Sequence, residues 1–118
     1  MGHLSTHVLD TARGLPAAGV LVELRLLRGT GSADTVARAT TNTQGRTDAP
    51  LVAGDRFERG IYEITFHVGD YFRRTGLPLT DPPFLGEVVV RVGVADPAVA
   101  YHVPLLISPY GYSTYRGA

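Results

Sequence analysis

Four histidines supply the side chains best suited to proton transfer in this chain, because its 118 residues include no cysteine. Disulfides, thiolate zinc sites and cysteine nucleophiles are therefore excluded. Histidine has an ordinary pKa close to neutrality, which suits it to activating water or donating a proton. His3 and His7 are four residues apart, but a strand would separate them by ~13 Å, so their spacing does not indicate a zinc site.

The overall composition predicts one small folded domain. Apolar residues make up 44% of the chain and charged residues 19%, which argues against a disordered protein. Eleven basic residues, all arginine, balance 11 acidic ones, so the charge does not favour nucleic-acid binding. No apolar run approaches the ~20 residues of a membrane span, and the first residues do not resemble a secretory signal. We expect a single domain over residues 1–118, in the cytoplasm, with no nucleic-acid or membrane partner.

Alternating apolar side chains predict a series of short β-strands. Glycine and proline separate the alternating segments, as is typical of turns between antiparallel strands. The pattern favours an all-β fold, an antiparallel β-sandwich of seven to eight short strands with one short helix at Asp70–Thr75. The predicted strands are Leu4–Asp10, Val20–Leu27, Thr35–Thr41, Ile61–Val68, Leu85–Val94, Tyr101–Ser108 and Tyr112–Arg116.

Two predicted strands carry outward faces that are unusual for a solvent-exposed surface. Apolar and neutral polar side chains mix there, whereas a plain solvent-facing surface would carry more charge. Such a face indicates a protein–protein interface, and a ligand site at that interface would account for the neutral histidines. The simpler interpretation is that His102 is a half-exposed residue of the sheet. The faces consist of His3, Ser5 and His7 on the first strand and of His102, Pro104, Leu106 and Ser108 on the later one.

Three separated segments of the chain resemble the transthyretin family. They are His7–Ala17, Gly45–Asp48 and Tyr101–Gly117. Within that family, the last segment is similar to the 5-hydroxyisourate hydrolase branch rather than to the hormone carriers. The carriers have threonine at the position of His102, and they lack the Tyr-Arg-Gly ending. One departure is Ala118, which stands where the family usually has serine, so a role for that hydroxyl is not carried over.

The resemblance implies a fold, a reaction and an assembly. The fold is a transthyretin-like β-sandwich, with residues 1–118 as one hydrolase domain. The reaction adds water to a ring carbonyl of 5-hydroxyisourate and yields 2-oxo-4-hydroxy-4-carboxy-5-ureidoimidazoline, in the breakdown of urate. The hydrolases use no metal, and we expect no cofactor. They assemble as homotetramers whose active sites lie in a channel at the interface between dimers.

The resemblance also assigns roles to individual side chains. His7 and His102 would share the activation of water and the return of a proton, and two close histidines titrate as a pair, so their division of labour stays open. Arg46 would stabilise the oxyanion through its two-pronged guanidinium. A serine nucleophile is rejected because no Gly-x-Ser-x-Gly motif is present. The residues expected to bind substrate are Ser108, Tyr115, Arg116 and Gly117.

Several of these residues also have purely structural interpretations. Arg46 follows a glycine in an apparent turn and, taken alone, would be a solvated arginine. Asp10 and Asp48 are interpreted as turn-capping carboxylates. His67 alternates with outward-facing residues and is predicted to lie on the surface, and His3 is predicted to be incidental.

Two other functions compete with hydrolysis. One is a transthyretin-type carrier of a small ligand without catalysis, which His102 and the Tyr-Arg-Gly ending argue against, because an apolar channel gains nothing from them. The other is a structural or adhesion β-sandwich, against which the sequence offers no secretion signal, anchor or second domain. Accelerated decay of 5-hydroxyisourate would separate the hydrolase from both alternatives.

Overall fold

Two β-sheets enclose one apolar core in the computed structural model, which describes residues 2–29 and 31–117. Among the described residues, seven strands have four or more residues and two have only two. The strands are β1 (His3–Asp10), β2 (Leu15–Pro16), β3 (Leu21–Arg28), β4 (Ser32–Thr40), β5 (Val52–Ala53), β6 (Gly60–Phe66), β7 (Val88–Val94), β8 (Ala100–Ser108) and β9 (Gly111–Thr114). The helix α1 (Val68–Arg74) follows β6, and a 3-10 turn covers Gly54–Arg56.

The two sheets differ in the relative direction of their strands. One has the order β2-β1-β8-β9, with β5 also paired to β1, and the other has the order β4-β3-β6-β7. β1 and β8 run parallel, whereas the other pairs of described strands are antiparallel. The predicted all-β sandwich of seven to eight short strands with one short helix is confirmed. The parallel pairing of β1 with β8 is a feature that the alternation pattern did not predict.

Alternation along the strands places the core between the sheets. Every second residue is buried from Val22 to Leu26 in β3 and from Tyr62 to Phe66 in β6, and Val8 and Leu105 are fully buried on the opposite sheet. Burying a side chain of this size stabilises the fold by ~1.5–3 kcal/mol relative to leaving it exposed. The core pairs across β3 and β6 are Val22 with Phe66, Leu24 with Ile64 and Leu26 with Tyr62.

The helix begins earlier than the sequence predicts. Val68 was expected to end a strand, but β6 ends at Phe66 and α1 begins at Val68. Val68 and Gly69, the two added residues, are buried, so packing against the interior accompanies the extension toward the N-terminus. At the other end, Thr75 donates a hydrogen bond from Oγ1 to the carbonyl of Phe72 at 2.7 Å. None of the described helices is long and apolar enough to cross a bilayer.

His67 is less exposed than its alternation suggests. Its side chain is 18% exposed and lies with Nε2 2.6 Å from Glu23 Oε1. A second carboxylate, Glu87, lies 3.5 Å from Nδ1. The predicted surface position is therefore corrected to a half-buried one, because the chain turns into α1 directly after His67 and packs the ring against β3.

Asp10 ties the end of β1 to the helix. Its Oδ1 accepts hydrogen bonds from the backbone N–H groups of Ala12 and Arg13 at 2.9 and 3.0 Å, which fits the predicted turn-capping role. Its Oδ2 accepts from Arg13 Nε at 3.0 Å and from the Tyr71 hydroxyl at 2.7 Å. Burial alone would raise the pKa of Asp10, but these hydrogen bonds outweigh it and the pKa is lowered.

Replacing Asp10 with asparagine is expected to lower the free energy of unfolding by about 1–3 kcal/mol near neutral pH, because charged hydrogen bonds are lost. The folded-state pKa of Asp10 lies below the ordinary value of 3.8, so its contribution is present above that value and is lost as pH falls through the folded-state pKa. Urea denaturation at a series of pH values measures both effects, and the two proteins should converge in strong acid.

Asp34 offers the matched control, because it is an exposed carboxylate paired with the exposed Arg28. The Asp34→Asn variant should stay within ~0.5 kcal/mol of wild type. An equal loss in both variants, or a difference that does not shrink in acid, would contradict the role given to Asp10.

Candidate active site

The parallel register of β1 and β8 brings the two predicted catalytic histidines onto neighbouring strands. Ser5 lies opposite His102, and His7 lies opposite Pro104. Both histidines are half-buried and alternate with buried neighbours, so they occupy the outer face of the sheet. Strand spacing of ~4.8 Å and a rise of ~3.3 Å per residue put their Cα atoms roughly 8 Å apart. Two imidazoles therefore share one patch of the outer face.

His7 is oriented by a backbone carbonyl. Its Nε2 lies 2.8 Å from the carbonyl oxygen of Gln44. A carbonyl oxygen only accepts hydrogen bonds, so Nε2 of His7 carries the hydrogen. The ring can then gain a proton only at Nδ1.

A tight turn places Arg46 beside His7. The side-chain oxygen of Asn42 accepts hydrogen bonds from the backbone N–H groups of Gln44 at 2.9 Å and Arg46 at 3.2 Å. Val8 donates from its N–H to the Gly45 carbonyl at 2.8 Å, and His7 and Arg46 form an isolated antiparallel bridge. The turn is thus docked directly on β1.

Gly45 allows this close approach. Its φ is +76°, and a Cβ atom would lie 2.3 Å from the carbonyl oxygen of Val8. Both the left-handed conformation and the lack of space require glycine. The Gly-Arg pair in the predicted hydrolase segment therefore has a structural basis, because the glycine sets the position of the arginine.

The Arg46 side chain is exposed and faces a small cleft. Within residues 2–29 and 31–117 it has no carboxylate partner. The cleft has a volume of about 170 Å³ and is lined by Ser5, Thr6 and residues 46–50. A cation beside a cleft of this kind can bind a carbonyl oxygen or an oxyanion.

His102 is held by a hydroxyl and surrounded by positive charge. Its Nδ1 lies 2.8 Å from Ser5 Oγ. Burial lowers the pKa of His102, and the charges of Arg46, His7 and His3 lower it further. The lowered pKa favours the neutral form of the ring near neutral pH.

Gly117 packs directly on the ring of His102. Its N–H donates a hydrogen bond to the His102 carbonyl at 2.7 Å, and the two residues form an isolated antiparallel bridge. A Cβ atom at position 117 would lie 2.7 Å from His102 Cδ2. The structure thus places this predicted substrate-binding residue at the histidine patch, whereas Ala118 lies outside the described residues.

Arg116 and Tyr115 lie elsewhere in the same protomer. Arg116 lies over the ring of Tyr101, with Cζ 4.1 Å from the ring centroid. Both Tyr115 and Arg116 line a hollow of about 340 Å³ between β7 and the β8–β9 pair. Within one protomer these two residues do not lie at the histidine patch. Their contact with substrate therefore stays a prediction.

Ser108 is also distant from the histidines within one protomer. It lies six residues beyond His102 on β8, which corresponds to ~20 Å along a strand. Its hydroxyl donates to the Gly111 carbonyl at 3.3 Å in the β8–β9 turn. Its predicted role in binding substrate stays a prediction.

Three residues of the site were not singled out as site residues from the sequence. They are Ser5, Asn42 and Gln44. Ser5 forms a hydrogen bond with His102, Asn42 with the turn that carries Arg46, and Gln44 with His7. Alternation had placed Ser5 on the face of His7, but the partner strand was unknown. Gln44 contributes a backbone carbonyl, so no side-chain pattern could reveal it.

The fold and this outer-face patch of two histidines and an arginine define a transthyretin-like β-sandwich with a site suited to hydrolysis. The family model described as HIUase/Transthyretin family matches residues 4–117. The chain belongs to the HIUase/Transthyretin family.

Individual relatives agree with this assignment. "5-hydroxyisourate hydrolase 2" of Rhizobium meliloti (strain 1021) is 53% identical over 117 residues, which cover 99% of this chain and 97% of that protein. The structure of Klebsiella pneumoniae 5-hydroxyisourate hydrolase is 36% identical, covers both chains completely and has a TM-score of 0.82. Sea bream transthyretin in complex with thyroxine has a TM-score of 0.87 at 24% identity, over 98% of this chain and 94% of that one, and shares the fold. The predicted resemblance, to the family and to its hydrolase branch, is confirmed.

Proposed function

We propose that this chain hydrolyses 5-hydroxyisourate to 2-oxo-4-hydroxy-4-carboxy-5-ureidoimidazoline in the breakdown of urate. The observation that carries the proposal is the convergence of His7, Arg46 and His102 on one outer face. Relatives that match nearly the whole chain bear the name 5-hydroxyisourate hydrolase. Side chains suited to hydrolysis thus occur in a chain whose relatives are named for that reaction.

The proposed reaction needs a proton acceptor, an oxyanion partner and a proton donor. A water oxygen attacks the ring carbonyl while a histidine takes one of its protons. The carbonyl oxygen becomes an oxyanion, and Arg46 stabilises it with its guanidinium. The carbon–nitrogen bond of the ring then breaks, and the proton passes from histidine to the departing nitrogen. The histidine is regenerated, so no other reactant is consumed.

We also propose that the working form is a homotetramer with its active sites at the interface between dimers. β7 and β9 end their respective sheets, and edge strands present backbone groups that can pair with another copy. Phe84 and Tyr110 are exposed, with ring centroids 6.1 Å apart, and exposed aromatic pairs favour association. A second dimer over the histidine face would turn the open patch into an enclosed site.

The experiment that tests the activity follows the ultraviolet absorbance of 5-hydroxyisourate made in situ by urate oxidase. The protein should accelerate the decay well beyond the spontaneous rate, in proportion to its concentration. A carrier would bind without changing the rate. Decay at the spontaneous rate would overturn the proposed hydrolysis.

Light scattering at micromolar concentration tests the assembly separately. The expected mass is four times 12.6 kDa, and a monomer would overturn the proposed site between dimers. Because the two measurements are independent, an active monomer would leave the reaction in place and remove only the assembly.

A further inference from the structure

Ser5 is the one residue whose side chain contacts the ring nitrogen of a proposed catalytic histidine within the described residues. Its Oγ lies 2.8 Å from His102 Nδ1. The contact follows from the register, because Ser5 is the residue directly opposite His102 across the parallel ladder. Both side chains are half-buried on the same face, so the pair is held by two strands rather than by a loop.

The direction of this hydrogen bond decides whether Nε2, on the other side of the His102 ring, carries a hydrogen. A neutral imidazole carries one hydrogen, on Nδ1 or on Nε2, while a hydroxyl can either donate or accept. Among residues 2–29 and 31–117, Ser5 Oγ has no acceptor other than this ring. A donated O–H···N bond therefore satisfies the hydroxyl hydrogen and Nδ1, whereas the reverse direction would leave the hydroxyl hydrogen without a protein partner.

We propose that Ser5 is a positioning residue whose hydroxyl donates to Nδ1 of His102 and fixes the neutral tautomer that carries its hydrogen on Nε2. This inference rests on the proposed hydrolase function, which it deepens. Nε2 lies on the side of the ring away from Ser5, so its hydrogen is free to meet the substrate. His102 then acts as a hydrogen-bond donor instead of a base.

The opposite arrangement at His7 completes the division of labour. His7 already donates its Nε2 hydrogen to the Gln44 carbonyl at 2.8 Å, which leaves a lone pair on Nδ1. The proton of the attacking water therefore goes to His7 Nδ1, and the same proton returns to the departing ring nitrogen. Meanwhile the Nε2 hydrogen of His102 and the guanidinium of Arg46 stabilise the oxyanion. Protons balance over the cycle, and His102 stays neutral throughout.

Nitrogen-15 NMR of histidine-labelled protein tests the tautomer without any substrate. We expect the His102 signals to show a hydrogen-bearing Nε2 and an acceptor Nδ1 near pH 7, with assignment by comparison with His102→Ala. In Ser5→Ala, this preference should be lost and the two nitrogens should shift toward averaged values. A wild-type signal with the hydrogen on Nδ1, or an unchanged tautomer in Ser5→Ala, would overturn the proposal.

Kinetics supply the second test. Ser5→Ala should lower kcat about tenfold with a smaller change in KM, because an interaction that orients a catalytic group is lost. Ser5→Thr keeps the hydroxyl, and the cleft beside Ser5 offers room for its methyl group, so it should recover most of the activity. The matched control is Ser32→Ala, whose hydroxyl bonds to the Arg28 carbonyl at 2.7 Å far from the site, and it should behave as wild type.

The outcomes separate this proposal from the proposed function. If wild-type protein fails to accelerate the decay, the hydrolase function is wrong, whatever the NMR tautomer. If wild type is active while Ser5→Ala keeps its full kcat, or Ser5→Thr is impaired as much as Ser5→Ala, the positioning role of Ser5 is wrong and the function stands.

Discussion

Replacing His102 with alanine is expected to lower kcat/KM for 5-hydroxyisourate by about 10²–10³-fold, the usual cost of removing one donor from an oxyanion site. The loss should appear mainly in kcat, because the interaction strengthens as charge develops on the substrate oxygen. Burial and neighbouring positive charge lower the pKa of the ring, which favours the neutral donor that we propose for this residue. The absorbance assay with purified variants measures the change.

His67 provides the histidine control for this experiment. It lies between β6 and α1 and contacts Glu23 of β3 rather than the site, so His67→Ala should keep wild-type kcat/KM. Circular dichroism and the mass in solution show whether both variants fold and assemble. If His102→Ala accelerates decay as well as wild type does, the assignment of this histidine is wrong even though the reaction stands.

Replacing Arg46 with alanine is expected to cost a similar 10²–10³-fold in kcat. Arg46 has no carboxylate partner in the described part of the chain, and it borders the cleft beside Ser5, so its charge is available to the developing oxyanion. Arg46→Lys keeps the charge but loses the planar two-pronged donor, and we expect it to recover only part of the rate. The backbone of the turn should persist in both variants, because Asn42 bonds to the N–H of residue 46.

The control for Arg46 is Arg38→Ala, which removes an exposed arginine paired with Glu23 at 3.3 Å. It should retain wild-type kinetics. An Arg46→Ala variant that raises KM at unchanged kcat would show that the arginine binds substrate and transition state equally, which contradicts stabilisation of the oxyanion.

The sequence predicted the seven longer strands to within a few residues, because their alternation reflects burial on one face, but it did not predict the two-residue strands β2 and β5. Val22, Leu24 and Leu26 are buried as their spacing predicts. Alternation also placed His7 and His102 on outward faces, but it cannot say which strands pair. The register that sets Ser5 opposite His102 joins residues 97 positions apart, and it depends on the packing of the whole sandwich.

The C-terminal segment shows a different limit. The resemblance implied that Gly117 and Arg116 both bind substrate. A sequence motif does not show toward which side of the chain either residue faces. In the structure Gly117 pairs with His102, so the preceding Arg116 turns to the opposite side and lies on Tyr101. The bridge to His102, rather than the motif, decides which residue of the pair faces the histidines.

Because β1 and β8 are far apart in the sequence, the site forms only when these two strands pair. His7 belongs to the first strand of the fold and His102 to the penultimate one, so neither half of the chain contains both. Contacts of high sequence separation form slowly, because a long loop must close before they add any stability. During synthesis, the histidine patch therefore exists only after β8 has emerged and docked beside β1. Loss of that one strand pairing would separate the two imidazoles and divide their sheet between β1 and β8.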